Sequence, residues 1–162
     1  MSRIAKSVAT LRVFGDELVP ERVSALLGAP PTESYRKGDV KALRSGNEFI
    51  RKTGMWRLEV PDCEPEDLDG QVIKLLAGLT TDLAVWRDLS ERFEVDLFCG
   101  LFMNESNEGL SLSPSTLSAL ADRGIELALD VYAPSTEVSG SDPCPCGSGR
   151  TYAECCAPHG EA

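Results

Sequence analysis

The chain has 162 residues, with 42% hydrophobic and 26% charged residues and a formal net charge of −10. That is enough for one domain of roughly 130 residues with an appendage. No apolar run approaches the ~20 residues that span a bilayer, and the negative charge opposes non-specific attraction to nucleic acid or to an anionic membrane.

The opening Met1-Ser-Arg-Ile-Ala-Lys-Ser lacks the apolar stretch and cleavage site of a secretory signal, so a cytoplasmic protein is expected. Val8 to Phe14 alternates as a strand, with Ala9, Leu11 and Val13 on one face. Pro20 suits a first helical position, Val19, Val23, Leu26 and Leu27 follow at helical spacing, and Gly28 ends the helix. Residues 29–54 contain several Gly and Pro and hold no period, which predicts a long loop or a loose hairpin. Met55 to Val60 alternates again, Trp56, Leu58 and Val60 opposing Arg57 and Glu59.

Between Glu66 and Glu91 the positions Leu68, Val72, Leu75, Leu76, Leu79, Leu83 and Trp86 step by three and four, as one amphipathic stripe does. Gly78 and Thr80-Thr81 split the stripe into two helices, with a Thr capping the second. Phe93 to Met103 is the longest strand candidate, with Glu94 and Asp96 opposite its apolar face. Ser113-Pro114 opens a short helix with Leu117, Leu120 and Ala121 inward and Gly124 after it. In the last strand, Ile125 to Ala133, Leu127, Leu129 and Val131 alternate with Glu126, Asp130 and Tyr132, and Pro134 ends the domain.

These elements predict an α+β fold, a four-stranded, mostly antiparallel sheet with helices on one face, followed by a short cysteine-rich C-terminal segment. The domains are 1–134 (α+β), 135–142 (a flexible Ser/Thr/Gly linker) and 143–162 (the cysteine-rich segment). Leu11 to Phe14, Leu26-Leu27-Gly28 with Pro31-Thr32, Arg36-Lys37-Gly38-Asp39, Trp56, and Ile125 to Tyr132 together resemble an uncharacterised bacterial family, domain of unknown function 4279. The resemblance spans about residues 8–134 and brings no known activity.

Four of the six cysteines fall in the last nineteen residues, reading Cys-x-Cys, eight residues, Cys-Cys. In a reducing compartment such a cluster suits a metal better than disulfides, although redox use of Cys144-Pro-Cys146 is the alternative. Four soft ligands, Cys144, Cys146, Cys155 and Cys156, suit one tetrahedral Zn²⁺ per chain. Pro143 and Pro145 stiffen the first pair, and Gly147 and Gly149 supply the freedom to turn around a metal. His159 is a substitute fourth ligand should geometry disfavour adjacent cysteines. Residues 142–159 resemble the SEC-C motif, the zinc knuckle at the C-terminus of the SecA translocation ATPase. That resemblance implies zinc ligation by the same four cysteines and contact with a protein partner, the SecB chaperone and the ribosome being partners in the family. Where family members are often basic this copy has Thr151 and Glu154, which favours a partner with a basic surface. A site with all four positions filled by sulfur is structural rather than catalytic.

Residues 1–57 carry 11 Lys/Arg against 6 Asp/Glu, whereas residues 58–134 carry 4 against 16. Within the basic part, Arg36, Lys37, Lys41, Arg44, Arg51, Lys52 and Arg57 lie among Tyr35, Phe49 and Trp56, a pattern compatible with single-stranded nucleic acid. The overall negative field instead predicts packing against the acidic run Asp62, Glu64, Glu66, Asp67 and Asp69. Glu94, Asp96, Glu126 and Asp130 could share a sheet face as acid/base carboxylates, or simply form its solvated side. Phosphate loops are missing from the sequence, Cys99 reads as core, and Cys63 stands apart between acidic residues. The expectation is a non-enzymatic protein-interaction module; the alternatives are an enzyme with a carboxylate site on the sheet face, and an immunity-type inhibitor of a toxin.

Overall fold

The structure, a computed structural model, describes residues 3–134 and 148–155. Its centre is β1 (Lys6–Gly15), flanked by two antiparallel neighbours, β5 (Gly54–Glu59) and β6 (Glu94–Phe102). A short β2 (Glu33–Tyr35) adds antiparallel to β5, and β7 (Glu126–Tyr132) adds parallel to β6, giving the order β2-β5-β1-β6-β7. The sheet is thus mostly antiparallel, as expected, but has five strands rather than four. The extra strand lies inside the stretch read as a loop. The rest of that stretch forms a separate hairpin, β3 (Val40–Ala42) with β4 (Glu48–Ile50).

Four helices cover one face: α1 (Pro20–Leu27) against β5, α2 (Leu68–Ala77) against β1, α3 (Leu83–Arg92) against β6 and α4 (Pro114–Asp122) against β7. Between the layers Ala9, Leu11, Val13, Leu97, Cys99 and Leu101 of the strands meet Val23, Leu27, Leu68, Val72 and Leu89 of the helices. Trp56 and Trp86 are wholly buried, and each indole N–H finds a partner, Ser24 Oγ at 3.0 Å and the Thr80 carbonyl at 2.8 Å. Truncating a buried Trp to Ala typically costs about 3–5 kcal/mol, so these two anchor the core.

Helix ends follow local chemistry. Pro20 opens α1, and Gly28 closes it at φ 82°, a conformation that costs a β-carbon-bearing residue roughly 1 kcal/mol or more. Asp67 caps α2. Asp82, and not a threonine, caps α3 by accepting from Ala84 N at 2.9 Å, while Thr80 Oγ1 accepts from Asp82 N at 3.2 Å. Ser113 caps α4 and is itself fastened to Asp69 of α2. In α4 the buried positions are Thr116 and Leu120, whereas Leu117 and Ala121 face solvent, contrary to the sequence reading. Thr116 can bury because its Oγ1 accepts from Ser113 Oγ at 3.0 Å.

Candidate functional sites: the cysteine tail and the open sheet face

Cys155 ends a short helix, α5 (Tyr152–Cys155). The Ser148 hydroxyl lies 3.2 Å from its sulfur and donates to it, while accepting from Arg150 N at 3.4 Å. Gly149 takes φ 74°, and Glu154 reaches back to Thr151 N at 3.4 Å in a capping arrangement. A hydroxyl aimed at a sulfur is the contact that steadies a thiolate, so this turn fits a metal-ligating cysteine. Cys144, Cys146, Cys156 and His159 lie outside the described residues.

The face of the sheet away from the helices carries a polar and aromatic surface. At its centre Arg12 makes a two-pronged ion pair with Asp96, at 2.8 and 2.6 Å, and its guanidinium lies 4.3 Å from the Phe98 ring centre and 5.0 Å from that of Phe14. The hydrogen bonds to Asp96 push the Arg12 pKa up further. Phe102 and Tyr132 stack at 4.6 Å, with Lys6 over Phe102. Sequence reasoning singled out Asp96 but missed Arg12, whose partner lies 84 residues away.

Of the four carboxylates, Asp96 is therefore committed to Arg12. Glu126 sits beside Asp96 in register, Asp130 beside Gly100, and Glu94 beside Phe14. They share a face, and among the described residues no group of three or more His, Cys, Asp and Glu is placed to hold a metal ion. Glu94 also lines an open cleft of about 740 Å³ at the sheet end, with Phe14, Asp16, Thr53, Glu91 and Phe93.

Five of the seven residues of the basic stretch pair with acidic groups other than the run 62–69. Arg36 pairs with Glu21 at 2.8 Å, and Lys37 with Asp16. Glu33 gathers Arg57 at 2.7 Å, Arg51 at 3.5 Å and Lys41 at 3.7 Å, and Arg51 stacks 3.8 Å over Tyr35. The acidic run serves the other end of the domain, where Glu66 pairs with Arg3 at 3.1 Å and Asp62 with Lys6 at 2.7 Å. Trp56, read as an aromatic member of the basic patch, is core. Cys99 is buried as expected, and burial, helped by the Asp96 charge, pushes its thiol up to about 12.

No helix among the described residues is long and apolar enough to cross a membrane. No curated protein and no solved structure matches this chain. Residues 141–158 match the SEC-C motif, a span that contains all four tail cysteines. Residues 5–134, from the start of β1 to the end of β7, match the Domain of unknown function (DUF4279), and the chain belongs to that family.

Proposed function

We propose that the chain is a non-enzymatic protein-interaction module of the bacterial cytoplasm, in which a structural zinc knuckle contacts a partner protein. Cys144, Cys146, Cys155 and Cys156 hold one Zn²⁺, and the domain of residues 1–134 provides a second recognition surface. The carrying observation is the SEC-C match over 141–158, within which the Ser148 hydroxyl already points at the Cys155 sulfur. Four thiolates and one Zn²⁺ add two negative charges to the formal −10, so the complementary partner surface is basic.

Metal analysis of protein purified under reducing conditions should find one zinc per chain, released when the thiols are titrated. Cys155→Ser should lose the metal and with it the knuckle's share of partner capture. Metal-free protein with an unchanged tail, or full partner capture by Cys155→Ser, would overturn the reading. The enzyme reading retains one support, the presence of Glu94 in the cleft beside Asp16 and Glu91.

A further inference from the structure

Among the described residues the strand β7 forms one edge of the sheet, and its register with β6 runs unbroken from Asp96↔Glu126 to Phe102↔Tyr132. The Tyr132 carbonyl accepts from Met103 N at 3.0 Å, so Tyr132 turns its backbone groups toward β6. Backbone direction alternates along a strand, which leaves the N–H and C=O groups of Leu127, Leu129 and Val131 pointing away from the sheet. Natural edges are blunted by proline, bulges or charged side chains; β7 has no proline and no bulge, and the charges it carries, Glu126 and Asp130, are both acidic.

Several of its side chains are exposed as well. On the helix side Leu129 is 46% and Val131 59% exposed, since α4 covers only the start of the strand; on the other side Tyr132 is 45% exposed. Glu126 and Asp130 alternate with these apolar groups and are exposed. A second copy of β7 would bring four carboxylates onto the same face, between chains of net charge −10 each. The charges that oppose self-pairing favour a cationic strand.

We propose that β7 accepts an extended segment of a partner protein as a sixth strand, with Lys or Arg at alternate positions beside Glu126 and Asp130 and apolar residues beside Leu127, Leu129 and Val131. The inference deepens the interaction reading above and rests on it, while placing a contact on the main domain independent of the knuckle.

The test uses the full zinc-loaded chain and a labelled peptide of about nine residues alternating lysine and valine, a length matched to one strand. Saturable binding is expected, with a glutamate–valine peptide and a peptide of segregated lysines and valines as controls. Leu129→Pro removes an outward N–H without breaking a bond to β6, and should weaken binding about tenfold or more. Asp130→Lys should weaken the lysine peptide and admit the glutamate one, which keeps the test valid should the proline variant misfold. Equal binding of the segregated peptide, indifference to both substitutions, or a β7-mediated dimer in sedimentation would overturn the proposal. Cys155→Ser should leave peptide binding intact, so failure at β7 and failure of the knuckle are read by different variants.

Discussion

Two cysteines of the main domain differ in a way that can be measured directly. Cys99 has no exposed surface, packs among Leu97 and Leu101 in the core, and its thiol is pushed up to about 12 by burial and then by the Asp96 charge. The reactive species is the thiolate, so at neutral pH Cys99 is protected both by access and by protonation. Cys63 is half-buried, in an isolated bridge with Ser7 where the two backbones exchange hydrogen bonds at 3.0 Å. A maleimide added to native protein at pH ~7.5 should therefore modify Cys63 in minutes and leave Cys99 unmodified until denaturant is added. Mass spectrometry of digests reads the outcome, and early labelling of Cys99 would contradict a closed core at β6.

At the scale of elements, the most distinctive device is the fastening of the β3–β4 hairpin. Its own side chains are exposed, and two-stranded hairpins are marginal alone, so its placement depends on ties to the rest of the chain. Lys37 holds the Asp16 carboxyl below its usual range; Glu21 is lowered first by its own backbone hydrogen bond at the start of α1 and then by Arg36. A carboxyl depressed in the folded state contributes stability that is present above its unfolded pKa of about 4 and is lost as pH falls through the lower folded value. Both groups are fully exposed, so the effect is local. Hydrogen exchange corrected for intrinsic rates should show the amides of Gly38, Leu43 and Arg51 losing protection between pH ~6 and ~3 while Leu11 and Leu97 keep theirs. Parallel loss in both sets would assign the ties elsewhere. The same hairpin shows why part of the fold was hidden in the sequence. The strands of the core announce themselves by alternation, whereas β2, β3 and β4 have three residues each: β2 pairs with β5, and the β3–β4 hairpin is tied to β2 by Lys41 and Arg51 pairing with Glu33 and by Arg51 stacking on Tyr35. Likewise Leu117, Leu129 and Val131 sit at positions that the apolar period assigns inward, yet no described element covers them, because periodicity records a face and not what lies over it. The SEC-C motif was legible for the opposite reason, its cysteine spacing being local.

For the whole molecule, the described core lies within the span of the family domain, apart from Ile4 just ahead of it. Among the residues whose side chains are described, every member of the main cluster lies between Ile4 and Leu127. Both tryptophans of the chain, Trp56 and Trp86, are inside that cluster, so indole fluorescence reports on the DUF4279 domain alone. A zinc site contributes to the folding of the segment that supplies its ligands, because the binding free energy has no preformed site elsewhere to draw on. Removing zinc with a strong chelator under reducing conditions should therefore leave the thermal transition followed by tryptophan within about 2 °C, since a core change of even 1 kcal/mol would move a domain of this size by some 3–6 °C. The chelated tail should at the same time become open to proteolysis between residues 143 and 158. A large shift of the tryptophan transition would mean that the tail packs on the domain, whereas an unchanged transition would make the proposed knuckle and β7 contacts energetically independent, so that a partner engaging both would gain by avidity.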